Sequence, residues 1–516
     1  MKDKKSTELA NLIKDETFDM DPEEIRQLGY HTVDLIVDYL NNICKGPILT
    51  TSTLKQMKEL LYEPLPQTEQ DPTTILDDCR KKIIANAIRI GNPRFLGWIL
   101  ASGTVIGAFA DGIASTLNQN VAVSGAGMAT ALELLVIDWI KEILGYDPKA
   151  AGILLSGGSM ANLTALAAAR NVKADFEVGI EGIQQGKNMI LYVSEEVHSC
   201  VPKAANILGI GMNNIRRVRV DDAFRLDTND LKAKIIEDKN RGMLPFCVVA
   251  TAGTVNTGAI DPLEPIADIC QQYNLWFHVD AAYGGFAILS SNLKPLLNGI
   301  ARADSIALDP HKWLFIPFEA GCVLVKNPSH MIQTFSVNAP YIHLTKTKPI
   351  SSEGVDFSDY GLQLSRQFRA LKIWMSLKQY GIQKYGRLID QNVYLARYMA
   401  ALVDESPDFE VASHVTLSIF CFRYLPEDLQ QKYRGADQLQ KEKIEEYLNR
   451  LNHLIAEDML LDQRAVLSST FLGSTFVLRV CIVNYRTKKQ DIKDILTTIR
   501  ELGHIADKRL RRKKLR

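Results

Sequence analysis

The 516-residue sequence has no net charge, since basic and acidic side chains balance at a formal +0. That removes a global electrostatic argument for nucleic acid or acidic polymers as partners. It also has no cysteine pair at metal or redox spacing. The eight cysteines are scattered, and Cys247, Cys322, Cys421 and Cys481 sit inside apolar runs, where cysteine behaves as a small hydrophobe. The pattern speaks against a disulfide scaffold and a zinc site, and for a reduced, cytoplasmic protein with no bound metal. No apolar run is long enough to cross a bilayer. Met1-Lys2-Asp3-Lys4-Lys5 opens onto mixed polar sequence without a signal-peptide core. Repeats and low-complexity tracts are also missing. Charge of one sign gathers in one place, Lys508 to Arg516, which is strongly basic and is expected to be a solvated tail.

What is present is a long alternation of strand and helix signals. Asp21-Pro22-Glu23-Glu24 starts a helix, with a capping aspartate, proline at the first position and acids in the first turn. Two more helical stretches are expected near Leu54 to Leu61 and Pro72 to Ile88. This arm, residues 1–85, is too thin to bury a core of its own. Seven short apolar runs follow, at Ile153 to Leu155, Met189 to Val193, Ile215 to Val220, Phe246 to Ala250, Leu275 to Val279, Ser305 to Leu308 and Cys322 to Val325. They are continuous rather than alternating, as strands buried on both faces are, and helical segments lie between several of them. The fold class is therefore α/β, with a mostly parallel seven-stranded sheet flanked by helices over residues 86–380. A helix is expected from Leu364 to Tyr380. Residues 381–516 look like a smaller α+β domain, with strands at Leu417 to Arg423 and Thr475 to Val483. Helices are expected there at Lys441 to Ala456 and Lys489 to Leu502.

Two of the runs end in residues that carry chemistry. Asp280 closes Leu275 to Val279, where a carboxylate is costly unless paired. Lys312 follows Ser305 to Leu308, in Asp309-Pro310-His311-Lys312-Trp313. A lysine and an aspartate so placed are what a pyridoxal-phosphate enzyme needs. The amine forms a Schiff base with the cofactor aldehyde, and the carboxylate keeps the pyridine nitrogen protonated. Burial and the cofactor charge are expected to lower the Lys312 pKa. Ala281 and Ala282 leave room for a flat ring, with Ala282 against its face. Gly157-Gly158-Ser159 is a strand-to-helix turn whose free N–H groups suit a phosphate. His198 lies just beyond a strand end, where α/β sheets bind ligands. Each of these alone has a bland alternative: a surface lysine, a turn aspartate, a capping histidine, an ordinary glycine turn.

Together with Gly91 to Phe95, Phe368 to Trp374 and Leu478 to Thr487, these motifs resemble the group II pyridoxal-phosphate decarboxylases. Within that group they are similar to the aromatic-L-amino-acid decarboxylases. The resemblance runs from about Asp21 to about Thr487. It implies a fold-type I enzyme, a homodimer that exchanges its N-terminal arm and shares its active sites, and release of CO₂ from an L-amino acid. It makes His198 the ring-stacking residue and places Gly158, Ser159, Thr254 and His311 around the cofactor. The chain departs from the family at Val255, threonine in many relatives, and at Asp309, often asparagine. An ionised Asp309 would repel phosphate, so no role is assigned to it. Tyr341, in the aperiodic stretch Val337 to Asp359, takes the place of the family's catalytic-loop tyrosine, which protonates the α-carbon after CO₂ leaves. By family position Trp98, Ile99, Gln119, Val121 and Ser365 line the substrate pocket. Gln119 and Ser365 favour a ring hydroxyl or an indole N–H. The expected substrate is aromatic: tyrosine, DOPA or phenylalanine, with tryptophan close behind. A decarboxylase of glutamate, aspartate or diaminobutyrate, an aromatic aldehyde synthase, an aminotransferase and a non-catalytic scaffold stay open as alternatives.

Overall fold

The computed structural model describes residues 10, 12, 17–50, 52–122, 127–183, 188–337 and 356–514. It divides into two units, Met1–Arg89 and Ile90–Arg516.

In the first unit, the helix Pro22–Asn41 starts as its sequence indicates. Asp21 accepts from the first-turn backbone and Glu24 completes a capping box. Helices Leu54–Leu61 and Pro72–Asp78 follow. The last was expected to reach Ile88. It instead widens into a π turn at Cys79–Ile83 and tightens into a 3₁₀ turn at Ile84–Asn86. None of the three helices buries a residue, and Ile25, Tyr30, Val33 and Val37 lie exposed along one of them.

In the second unit, seven strands among the described residues form one sheet. They are β1 (Ala151–Leu155), β2 (Met189–Ser194), β3 (Ile215–Val218), β4 (Leu244–Thr251), β5 (Trp276–Asp280), β6 (Ser305–Leu308) and β7 (Gly321–Val325), in the order β1-β7-β6-β5-β4-β2-β3. β7 runs antiparallel to both its neighbours, and the other pairs are parallel. All the residues of β1, β2, β5, β6 and β7 are buried, which is why they read as unbroken apolar runs. The helix Gly158–Lys173 packs on β4 to β7. Its buried Ala161, Ala165, Ala168 and Ala169 let the backbone sit close to the sheet.

A second sheet is antiparallel, in the order β10-β11-β9-β8, where β8 is Phe409–Val411, β9 is Ile419–Tyr424, β10 is Ser468–Leu472 and β11 is Thr475–Cys481. Each sheet has its own apolar core. They are bridged by the helix Ala370–Asp404, which is broken at Gly381 (φ 66°, ψ 149°). The sequence places a domain boundary at 380. The helix carries on across it, and its residues belong to the first core as far as Val393 and to the second from Leu395.

The basic segment begins inside a helix, with Lys508, Arg509 and Arg512 exposed as expected. The last helix, expected to stop near Leu502, runs Lys489–Lys514. Ile492, Ile495, Leu496, Ile499, Leu502, Ala506 and Leu510 bury one face of it. Arg511 pairs with Asp428 and Asp507, and Arg509 with Asp458. No helix among the described residues is long and apolar enough to cross a membrane.

Candidate active site

Because β4, β5 and β6 run parallel, their C-terminal ends meet on one edge of the sheet. A cavity of about 640 Å³ opens there, with Thr251, Asp280, Asp309 and Lys312 in its wall. Ligands bind at this edge of α/β sheets.

Lys312 sits on a single turn, Pro310–Trp313, directly after β6. It is half-buried, and its Nζ lies 2.9 Å from Asp309 Oδ2. Burial pushes its pKa down, as expected from sequence. The charge and hydrogen bond of Asp309, with Asp280 behind, outweigh that and leave the ammonium above its ordinary value. The lowering expected from sequence counted the cofactor's charge and gave Asp309 no part; without the cofactor, Asp309 sets the direction.

Asp280 is buried at the end of β5 and accepts a hydrogen bond from Ala282 N at 3.2 Å. Burial raises its pKa, against the opposing pull of Lys312, that N–H and His198. Such a carboxylate is poised for a cationic partner. His198 lines the same cavity, on the loop after β2. Its Nδ1 accepts from Cys200 N at 3.2 Å, so the neutral ring carries its proton on Nε2. Burial lowers its pKa, with Asp280 opposing.

The Gly157-Gly158-Ser159 turn leads from β1 into the helix Gly158–Lys173, whose N-terminus has no side-chain cap. A Cβ on Gly158 would stand 2.8 Å from Asp309 Oδ2 and 3.0 Å from the Ala282 Cβ. Glycine is needed there because the two walls of the cup approach so closely. On the other side, a Cβ on Gly321 would meet the Gly157 Cα at 2.4 Å. His311 flanks the cup. Its Nδ1 accepts from Ala320 N at 3.1 Å, and its ring packs on Phe318 with centroids 4.5 Å apart.

The cavity thus gathers Lys312, Asp280, His198, Gly158, Ser159, Ala282, His311, Trp98 and Ile99. It does not gather the rest. Thr254 is fully buried in its own turn, paired with Thr257 at 2.9 Å and accepting from Ala259 N, and Thr251 stands at the cavity instead. Gln119, Val121 and Ser365 lie away from the cavity wall of this chain. Their segments run together, with Val121 N donating to Arg366 O and Arg366 N to Asn120 Oδ1. Tyr341 lies outside the described residues.

Sequence reasoning missed Thr251, Asn256, Arg479 and Asp309, all in the wall. Thr251 ends a parallel strand, and that position is a usable signal. Arg479 comes from β11, in the other sheet; it lies in the Leu478 to Thr487 motif, but nothing in that motif's sequence ties it to the cavity. It donates from Nε to Val255 O at 2.7 Å and from Nη1 to Ser468 Oγ at 2.8 Å, leaving Nη2 buried and unpartnered.

The donor set fits pyridoxal phosphate. Lys312 suits the aldehyde, Asp280 the pyridine nitrogen, Ala282 and His198 the two ring faces, and the glycine turn the phosphate. The buried Thr251 Oγ1 and Asp309 Oδ1 have no hydrogen-bond partner within the protein, as expected of groups that meet a ligand.

Comparisons with known proteins agree. Residues 55–425 match the pyridoxal-dependent decarboxylase conserved domain. The chain is 35% identical to an aromatic-L-amino-acid decarboxylase of Bacillus atrophaeus, over 95% of this chain and 97% of that one. It is 29% identical to tyrosine/DOPA decarboxylase 2 of Papaver somniferum, over 92% and 91%. Among solved structures, Oryza sativa TDC with PLP and tryptamine superposes with a TM-score of 0.87 at 25% identity, covering 95% of this chain and 99% of that one. On the match over most of its length and on the site just described, the chain belongs to the pyridoxal-dependent decarboxylase family.

Proposed function

We propose that the protein decarboxylates an aromatic L-amino acid (tyrosine, DOPA or phenylalanine, with tryptophan next) to the amine and CO₂. The observation that carries this is the convergence of Lys312, Asp280 and His198 on one cavity whose wall includes the apolar Trp98 and Ile99. The similarity to aromatic-amino-acid and tyrosine/DOPA decarboxylases supports the substrate class.

Pyridoxal phosphate, when bound, supplies an electron sink for the bond breaking at the substrate α-carbon. Lys312 would hold the cofactor through its aldehyde. Asp280 would keep the pyridine nitrogen protonated. His198, neutral and with its proton on Nε2, would lie against the ring and could move a proton. Arg479 meets the substrate carboxylate through Nη2 alone. Its other two nitrogens are engaged, so it cannot form the two-point fork that an aminotransferase uses to grip that group. Tyr341 returns a proton to the α-carbon.

The protein acts as a homodimer. Gln119 and Ser365, both exposed, reach a substrate only if a second copy brings them to this cavity, as the family's shared sites imply, whereas Val121 is fully buried in the first core. Phe109, Ile113, Leu117 and Leu362 are exposed apolar residues near those segments in sequence and suit such an interface. The six buried free cysteines fit a reducing, cytoplasmic setting.

The deciding assay is CO₂ release from tyrosine, DOPA, phenylalanine, tryptophan, glutamate, aspartate and diaminobutyrate at equal concentration. Faster turnover of an acidic or basic amino acid than of every aromatic one would overturn the substrate reading.

A further inference from the structure

Asp309 stands where a phosphate cup should carry no negative charge. It is 2% exposed. Its Oδ2 faces Lys312 Nζ at 2.9 Å and His311 Nε2 at 3.7 Å. Its Oδ1 is buried without a hydrogen-bond partner. Both oxygens lie against the glycine turn: an added Cβ would be 2.8 Å from Oδ2 at Gly158 and 3.7 Å from Oδ1 at Gly157. A buried acceptor left unpaired costs free energy until something donates to it. Uncapped N–H groups of the helix Gly158–Lys173 attract an anion to the same place. One kind of ligand answers both demands: an oxyanion that still carries a proton.

We propose that Asp309 makes this cup selective for a monoprotonated phosphate group, whose P–O–H donates to the carboxylate while its other oxygens accept from the helix N-terminus. This rests on reading the Gly157–Ser159 turn as the cofactor's phosphate site. The groups that face Asp309 favour it. Lys312 and His311 lie on its own segment, Asp280 on β5, His198 and Cys200 around the start of the helix Cys200–Ile207, and Cys322 on β7. Burial holds both histidines toward their neutral forms and both thiols toward theirs. Of these groups Lys312 alone brings a full positive charge, and bonding to the cofactor would leave its nitrogen with fewer hydrogens to give Asp309. A fully ionised phosphate would then stand beside an uncompensated carboxylate. A shared proton removes that repulsion and turns it into a charge-assisted hydrogen bond. A phosphate monoester loses its second proton near pH 6, so the cup must capture the form that becomes scarce above that pH.

The test uses apoenzyme and follows reconstitution with pyridoxal phosphate by absorbance, with methyl phosphate or sulfate as competitor. Methyl phosphate, like the cofactor, is a monoester that loses its last P–O–H near pH 6, and sulfate is a similar tetrahedral anion with no proton to give near neutral pH. Wild type should be blocked by methyl phosphate at least ~10-fold more effectively than by sulfate. The advantage should shrink by about tenfold per pH unit at alkaline pH, as the protonated form disappears. In Asp309→Asn, sulfate should compete as well as methyl phosphate, the pH slope should vanish, and pyridoxal phosphate should bind more tightly at alkaline pH. Equal competition by the two anions in wild type would overturn the proposal while leaving the cup in place. So would discrimination that survives in Asp309→Asn. If neither anion competes, the cup reading itself fails, and the proposal with it. Should Asp309→Asn not fold, the wild-type comparison decides alone.

Discussion

At the scale of single residues, the site depends on charges held in unfavourable places by specific partners. Lys312→Ala should abolish the borohydride-stable adduct with pyridoxal phosphate and all turnover. Residual full turnover would refute its role. Asp280→Asn should keep most cofactor binding and lose at least ~10² in kcat, since a neutral amide cannot hold the pyridinium charge. Steady-state kinetics on reconstituted variant checks this, and a near-normal kcat would sink it. Tyr341→Phe should shift the product from amine toward aldehyde, measured as their ratio with oxygen uptake. An unmoved ratio makes His198 the next candidate for the proton donor. Most of these residues were legible because each follows a strand end. Asp309 was given no role from sequence, which shows its charge but not that its carboxylate lies against Lys312 and the glycine turn.

His278 gives a residue-level prediction about stability. It is fully buried two positions before Asp280, with Nε2 2.7 Å from Asn162 Oδ1 and Nδ1 2.8 Å from Ser305 Oγ. Asn162 Nδ2 donates to Gly158 O and Cys200 Sγ. Turning that amide over would set two oxygens against each other, so His278 must donate from Nε2 and accept at Nδ1. Burial pushes its pKa down to about 4. Between about 6.5 and 4 the unfolded chain therefore binds a proton that the folded protein refuses. Stability should fall as pH drops through that window, by on the order of 3 kcal/mol. Asp261, pushed up to about 6 by burial, works in the opposite direction. Comparing the acid slope of denaturant midpoints in wild type and His278→Gln isolates the histidine. An unchanged slope would show that it does not titrate as stated.

At the scale of elements, the cup is a matter of backbone approach. Gly158→Ala would push a methyl into Asp309 and Ala282 and should weaken cofactor binding at least ~10-fold with the helix content intact, read by titration and far-ultraviolet circular dichroism. Near-normal affinity would mean that the turn does not hold the phosphate. Five of the seven strands of the first sheet were legible because burial on both faces makes each an unbroken apolar run, whereas β3 at the sheet edge is Ile-Arg-Arg-Val and only partly buried. β8 and β10 were not legible: β8 has three residues, and β10 alternates between exposed and half-buried positions. The last helix was cut short for a different reason. Its basic residues were read as solvated, yet Leu510 keeps the apolar periodicity going and acids on other helices meet Arg509 and Arg511.

At the scale of the molecule, the exposed apolar faces of the N-terminal helices and of Val105–Leu117 need a partner, and a second copy is the proposed one. Removing residues 1–85 should give an inactive or aggregated product, and sedimentation of a fully active monomer would refute the shared site. Sequence suggested this arrangement through the family resemblance and through the thinness of the arm, whose three helices bury no residue.

The single reversed strand has a consequence for the order of assembly. β7 pairs with β6 across the short connection that carries Lys312, and with β1 across a far longer stretch of chain, Ala151 opposite Val325. Closing the first contact costs little loop entropy and closing the second costs much more. The lysine should therefore be in place early, while the glycine turn that follows β1 arrives only when the edge of the sheet is sealed. In refolding, the absorbance of attached cofactor should rise after the bulk of the secondary structure, at the rate of that last pairing. A mutation that loosens β1 should delay cofactor capture without slowing the earlier phase.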